Sequence, residues 1–219
     1  MAAGHVHPTA TGTASVAGMA TSRAGTVHDL PGVYRVCLLT GRSGGDAGPL
    51  HADPDLLGHL WAGPYLVFPD AVARVVHDDD GVAGYCMGVP DTAAYEDWLE
   101  GAWLPPLRER HPAGTGSTPA DRAAVDRLHH PPRTDAALLT EHPAHLHVDL
   151  LPRLQGQGWG RRLMEEVLDA LAAAGAPGVH LGVDEANTGA MAFYERLGFG
   201  ELGRSPGARS YGLRLTRRD

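Results

Sequence analysis

Residues 151–166 read LPRLQGQGWGRRLMEE, and this stretch decides how the rest of the chain is interpreted. Glycines occupy positions 156, 158 and 160, and a segment with apolar residues at helical spacing follows at once. That segment is predicted to be a helix, ended by Gly175 and Pro177. The preceding residues 143–151 (PAHLHVDLL) are typical of a strand. A strand, a glycine-rich turn and a helix in this order predict an anion-binding site.

The physical reason lies in the start of the helix. Its first N–H groups have no partner within the helix, and the helix dipole adds partial positive charge there. Glycines let the backbone approach a ligand closely, and Arg161 and Arg162 would add full charges beside a phosphate or pyrophosphate. A Rossmann loop fails because its third glycine would fall at Arg161, and a P-loop fails because the chain has no lysine. The pyrophosphate of coenzyme A remains.

The loop resembles that of the GNAT superfamily of acyl-CoA N-acyltransferases, whose pattern is Q/R-x-x-G-x-G/A. Here the pattern is carried by Gln155, Gly156, Gln157, Gly158, Trp159 and Gly160. A second block of the family, N-x-x-A-x-x-F-Y-E-x-x-G-F, is similar to residues 187–199 (NTGAMAFYERLGF). In the first half, YRVCLLT, GPYLVFPD and GVAGYCMGVPDT look similar to the C-terminal acetyltransferase-like domain of eukaryotic O-GlcNAcase.

This resemblance implies an α/β fold of the GNAT type, with a mixed, mostly antiparallel central sheet flanked by helices. A helical insert, residues 91–132, is expected between strands 3 and 4. Residues 1–30 are predicted to be a disordered or loosely attached segment, and residues 31–219 a single domain. Strands are predicted at residues 33–39, 71–77, 82–89, 143–151, 179–183, 199–202 and 209–215, with an extended piece at 64–68. Helices are predicted at residues 53–60, 92–110 (interrupted by Pro105 and Pro106), 121–130 and 187–197.

The resemblance also implies an acetyl-CoA-dependent N-acetyltransferase that moves the acetyl group directly to an amine. Tyr194 would protonate the leaving thiolate, and Asn187 would contact the pantetheine arm or cap its own helix. The residues implied to bind the cofactor are Leu150, Leu151, Gln155, Gly156, Gln157, Gly158, Trp159, Gly160, Arg161, Asn187 and Tyr194. The alternative is a module of the same fold that binds CoA or acetyl-CoA without catalysis, as a sensor or scaffold.

The base that receives the proton of the amine has no single position in this family. Strand alternation places His147, Asp149 and Leu151 on one face. Asp149 is predicted to be the base, because a carboxylate in an apolar strand is costly unless it has a partner or a task. A purely structural carboxylate bonded to local backbone is the alternative, with Glu141 and His147 in reserve.

Composition limits the partners. The net charge is −8, and residues 1–152 hold 18 acidic residues against 9 arginines, which disfavours nucleic acid. The acceptor is expected to be an amine on a small molecule, peptide or protein, and the acidic part is compatible with a cationic one. The chain lacks an apolar run of about 18 residues, so no membrane span is expected.

Cysteine and histidine usage completes the sequence-based predictions. The histidines match no zinc-binding spacing, so no metal is expected. Cys37 and Cys86 lie in apolar segments of the sequence, and we therefore predict that they are two reduced core thiols in a cytoplasmic protein. A homodimer is compatible with the family resemblance.

Overall fold

The computed structural model of the protein describes residues 20–216 and contains a seven-stranded sheet. In chain order the strands are β1 (Thr21–Ala24), β2 (Val72–Asp78), β3 (Gly81–Val89), β4 (Ala144–Leu150), β5 (Gly178–Asp184), β6 (Gly200–Ser205) and β7 (Ala208–Arg214). Across the sheet their order is β1-β2-β3-β4-β5-β7-β6. Neighbouring strands are antiparallel except β4 and β5, which are parallel. The predicted mixed and mostly antiparallel sheet is therefore confirmed.

Helices cover both faces of this sheet. They are α1 (Leu30–Thr40), α2 (Leu56–Trp61), α3 (Thr92–Trp98), α4 (Leu104–Arg110), α5 (Pro119–His129), α6 (Ala136–Glu141), α7 (Trp159–Ala173) and α8 (Thr188–Arg196). On one face, Cys86 of β3 contacts Met164 of α7, with 3.7 Å between the sulfur atoms. On the other, the adjacent Tyr85 lies against Cys37 of α1. Both cysteines are buried and unpaired, as predicted.

The connection between β3 and β4 is the predicted helical insert. It holds α3, a π-helical turn (Leu99–Trp103), α4 and α5, and it extends beyond the predicted end at residue 132 to include α6. The predicted interruption of residues 92–110 is present as the π-helical turn, which separates α3 from α4. Pro105 and Pro106 follow it in the first turn of α4, a position that proline favours.

The predicted strand at residues 33–39 is wrong, because these residues belong to α1. Its buried positions are Val33, Val36, Cys37 and Thr40, which is the spacing of one helical face. Pro31 lies in the first turn, where its preset φ favours a helix. Packing of this face on β3 and β4 outweighs the strand propensity of the β-branched residues.

Two further predictions need correction. Residues 64–68 are not extended, since most of them form a 3-10 turn (Gly63–Leu66). Part of the segment predicted to be loosely attached, residues 1–30, belongs to the sheet: β1 pairs with β2, and Arg23 bonds Asp29 at 2.6 Å in the next turn. Residues 1–19 of that segment lie outside the described residues.

Candidate active site

The two parallel strands of the sheet separate soon after they meet. β4 and β5 are paired only at Ala144 with Val179 and at His145 with His180. Beyond His145, β4 continues beside β3 alone and reaches Leu150. The edge of β4 that faces β5 is therefore open over the second half of the strand, which leaves a gap in the middle of the sheet.

The hydrogen bonds between β3 and β4 determine which backbone N–H and C=O groups of β4 point into this gap. The N–H group of Leu151 donates to the carbonyl oxygen of Ala83 in β3, at 2.9 Å. Residues of an antiparallel strand alternate in the side to which their N–H and C=O groups point. Leu150 therefore turns its backbone groups toward the gap, and its carbonyl there accepts a bond from Gln155 Nε2 at 2.9 Å. Leu150 is suitably placed to bond an extended ligand lying in the gap.

The glycine-rich loop closes the end of the gap. Gly156 and Gly158 adopt φ angles of +72° and +84°, in the left-handed region that favours glycine. Gly158 is the N-cap of α7, and no side chain caps this helix. None of the N–H groups of residues 156–161 has a hydrogen-bond partner within residues 20–216. The first turn of α7 also lacks acidic residues, so the loop presents unpaired donors to an anion.

The other predicted loop residues have different tasks. The side-chain amide of Gln155 donates to the carbonyl of Leu150 at the end of β4, and that of Gln157 donates to the carbonyl of Arg153 in the turn that follows, so both shape the loop. A side chain at Gly160 would come within 3.2 Å of the Phe193 ring, which reaches from α8 to this point of α7. Leu151 is buried, and its N–H and C=O groups both bond other parts of the chain, so it offers no free N–H to a cofactor.

Charged and aromatic side chains surround the start of α7. Arg161 is largely exposed and lies 3.7 Å from Glu165, an arrangement that leaves it free to turn toward an anion. Arg162 lies over the ring of Trp159, 5.0 Å from its centroid, and bonds Glu166. Trp159 therefore packs under a cation at the rim of the loop.

Two predicted residues lie on α8 or at its start. Asn187 is the N-cap of α8 and accepts a bond from the N–H group of Ala190 at 3.1 Å. Tyr194 is buried, and its ring packs beside Phe199 and Tyr211. Burial raises the pKa of Tyr194, and the negative charge of Asp149 raises it further. The phenol of Tyr194 is therefore protonated at neutral pH and lies within the electrostatic reach of Asp149.

Asp149 is held in a small polar cluster on β4. Tyr85 donates a hydrogen bond to Asp149 Oδ2 at 2.6 Å, and His147 Nε2 lies 3.5 Å from the same oxygen. Burial raises the pKa of Asp149, whereas the charge of His147 and bonds from Tyr85 and Thr40 oppose that shift. Sequence reasoning did not find Tyr85; the signal is the register that pairs it with Asp149 across β3 and β4.

The protonation of His147 follows from its other neighbour. His147 Nδ1 lies 2.7 Å from the carbonyl oxygen of Trp61. A carbonyl only accepts, so Nδ1 must carry the proton and a neutral ring keeps a lone pair on Nε2. Glu141, the other reserve base, is exposed and bonds Arg214 at 2.8 Å, outside this cluster.

A cavity of about 800 Å³ lies between the separating strands and the insert. His145 and His147 of β4 form its floor, with Tyr95 and Trp103 of the insert on its walls. His147 lines the cavity, whereas Asp149 lies behind it among Tyr85 and Thr40.

The described residues hold no group of three metal-ligating side chains, and none of their helices is long and apolar enough to cross a membrane.

An open gap between parallel strands, a loop of unpaired N–H groups at its end and a cavity on its side suit an extended ligand with an anionic end, as a CoA-dependent acyltransferase requires. The model of the acetyltransferase (GNAT) family matches residues 51–199. The chain belongs to the GNAT family.

Individual relatives agree with this assignment. The crystal structure of SsHAT is 35% identical, with a TM-score of 0.82 over 90% of this chain and 99% of that one. Protein O-GlcNAcase of Rattus norvegicus is 24% identical over 185 residues, and the chain spans about a fifth of its length (82% of this chain, 20% of that protein). Peptidyl-lysine N-acetyltransferase YjaB of Salmonella typhimurium is 44% identical over 69 residues, or 31% of this chain and 43% of that protein.

GNAT acetyltransferases use acetyl-CoA, and the solved structure of yncA from Salmonella typhimurium contains it as cofactor. That structure is 15% identical with a TM-score of 0.52, so its likeness concerns the fold. The loop of this chain fits the cofactor on its own evidence. Its unpaired N–H groups and its lack of acidic side chains in the first turn of α7 suit a pyrophosphate.

Proposed function

We propose that this protein transfers an acetyl group from acetyl-CoA directly to the nitrogen of an amine. The observation that carries the proposal is the continuity of the site. The unpaired edge of β4 runs from His145 and His147, which line the cavity, to Leu150, which lies just before the loop with its unpaired N–H groups. A bound thioester and an amine would meet at the middle of the gap between β4 and β5, held in reacting positions.

The loop would hold the cofactor. The N–H groups of residues 156–161 would bond the pyrophosphate, with the guanidinium of Arg161 beside it and Trp159 at the rim. The pantetheine arm would extend along the open edge of β4 and bond the backbone of Leu150. Gln155 and Gln157 would keep the loop in shape, Leu151 would act through its packing, and Asn187 would fix the start of α8 near the arm.

The thioester supplies an activated acetyl group. The acceptor nitrogen forms a bond to the acetyl carbon while the carbon–sulfur bond breaks. His147 Nε2 would take the proton that the nitrogen loses, and Asp149 would stabilise the charged imidazole from 3.5 Å. Asp149, the base predicted from the sequence, would thus act through His147.

Tyr194 would complete the proton balance. Its phenol would donate the proton that the departing CoA thiolate needs. The raised pKa keeps the phenol protonated at neutral pH, but it also makes Tyr194 a weaker acid than an ordinary tyrosine. The products are an N-acetylated acceptor and free CoA thiol. A cytoplasmic location and a homodimeric state stay predictions.

The test is CoA thiol release from acetyl-CoA with a panel of amines, for the wild-type protein and Tyr194→Phe. We expect turnover with at least one amine and a loss of about 10²-fold or more in kcat in the variant. Tyr211→Phe is the matched control, since Tyr211 is a buried neighbour whose hydroxyl bonds Glu195 instead. Binding of acetyl-CoA without turnover would favour the non-catalytic module.

A further inference from the structure

Arg127, in the last turn of α5, is a half-buried cation on the wall of the 800 Å³ cavity. Its guanidinium carbon lies 4.4 Å from the centroid of the Trp61 ring. It forms no hydrogen bond or ion pair with any of residues 20–216. Among the described residues, the cation–π contact with the Trp61 ring is therefore the one interaction that stabilises the charge of the Arg127 guanidinium.

The carboxylates around the same cavity are already bonded. Glu96 accepts a bond from the hydroxyl of Thr134 at 2.7 Å. Glu100 forms a two-bond pair with Arg108, at 2.8 and 2.9 Å. Asp184 is exposed and accepts a backbone N–H of its own loop at 2.7 Å. None of them neutralises Arg127.

The second arginine of the cavity wall differs from Arg127 in this respect. Arg133 bonds Asp97 at 2.7 Å and lies 3.6 Å from Glu96. Its charge is compensated by the protein. Arg127 is therefore the cation of the cavity that lacks a counter-charge among the described residues.

An unpaired, half-buried cation is unfavourable, and burial lowers the pKa of Arg127. An anion beside it would remove this cost. The planar guanidinium fork matches a carboxylate with two parallel hydrogen bonds, while one face of the fork stays on the Trp61 ring. Nothing in the geometry favours a second cation at this place.

The position of Arg127 relates it to the reacting nitrogen. Trp61 lies under Arg127, and its carbonyl accepts the hydrogen bond from His147 Nδ1. The rings of Trp61 and His147 lie 6.5 Å apart. A ligand that reaches both Arg127 and His147 Nε2 would have to carry an anionic group and an amine in one molecule.

We propose that the acceptor is an amine that also carries a carboxylate, which Arg127 binds against Trp61. This inference rests on the proposed function for the amine, and on Arg127 alone for the carboxylate. The sequence left the acceptor as an amine on a small molecule, peptide or protein, and the carboxylate narrows that class.

The test measures binding apart from turnover. Matched pairs of amines with a free carboxylate or a carboxamide, lysine with lysinamide and β-alanine with β-alaninamide, are titrated into the protein in the presence of CoA. We expect the acid form to bind about tenfold or more tightly than its amide. Arg127→Gln should remove this preference, and Arg127→Lys should keep part of it.

Arg122→Gln is the matched control. Arg122 lies on the same helix, is exposed and bonds the carbonyl of Gly116 outside the cavity, so its loss should leave the preference intact. Equal binding of acid and amide, a preference that survives in Arg127→Gln, or no binding by any acid form would overturn the proposal. Acetylation of amines without acid preference would keep the transferase and contradict the role of Arg127. A preference for the acid form without acetylation would keep the role of Arg127 in binding and contradict the transferase.

Discussion

The hydroxyl of Tyr85 donates to the carboxylate of Asp149 across the β3–β4 ladder, with 2.6 Å between the two oxygens. The two residues are direct cross-strand partners on the face of the sheet that α1 covers. The bond stabilises the ionised form of a carboxylate whose burial favours the neutral form.

This relationship predicts a pH effect. The bond from Tyr85 lowers the pKa of Asp149, so Tyr85→Phe should raise it. If catalysis needs ionised Asp149, the acidic limb of the kcat/KM profile moves to higher pH in the variant, and Tyr211→Phe leaves it in place. An acidic limb that does not move in Tyr85→Phe would show that ionisation of Asp149 does not control the rate.

A second prediction separates His147 from Asp149. His147→Gln should lower kcat by about 10²-fold to 10⁴-fold with an unchanged dissociation constant for acetyl-CoA, because Nε2 takes the proton of the amine. His77→Gln, a change on β2 where the ring bonds Thr21, serves as control. Steady-state kinetics at several pH values provides the measurement. Full activity in His147→Gln together with loss in Asp149→Asn would make Asp149 the direct base.

A third prediction concerns acid stability. Burial, assisted by the charges of His180 and His147, lowers the pKa of His145 to about 3. At pH values between about 3 and the ordinary pKa near 6.5, His145 binds a proton in the unfolded chain but not in the folded chain. The free energy of unfolding therefore falls as pH falls through this range, by about 1.4 kcal/mol per pH unit for this group.

Urea unfolding at a series of pH values measures this effect. His145→Gln can keep a bond to Thr92, which lies 2.8 Å from His145 Nδ1 in the wild-type protein. The variant should lose stability less steeply on acidification. Parallel curves for the two proteins would mean that His145 is not the group that charges on unfolding.

The sequence predicted the second half of the fold well because its signals are local. Gly158 and Gly175 adopt the positive φ angles that glycine favours, and Asn187 caps the helix that it precedes. The apolar face of α7 repeats at helical spacing over the length of the helix. Each of these signals lies within a few residues of the element that it predicts.

The misses depend on distant parts of the chain. Residues 33–39 have strand-like composition, and only packing against β3 and β4 makes their helical spacing decisive. Tyr85 reaches Asp149 through strand register, and Arg127 reaches Trp61 through the packing of α5 on α2. Single-sequence patterns do not carry such contacts.

The most direct test of the central claim is a calorimetric titration with acetyl-CoA, using ADP and NAD for comparison. Gly158 and Gly175 have similar φ angles, +84° and +92°, and open space around them, so Ala strains both equally. We predict one-site micromolar binding to the wild-type protein, a dissociation constant raised about tenfold or more in Gly158→Ala and an unchanged one in Gly175→Ala. Tighter binding of ADP or NAD than of acetyl-CoA, or equal affinities in both variants, would contradict the assignment of the loop to the pyrophosphate.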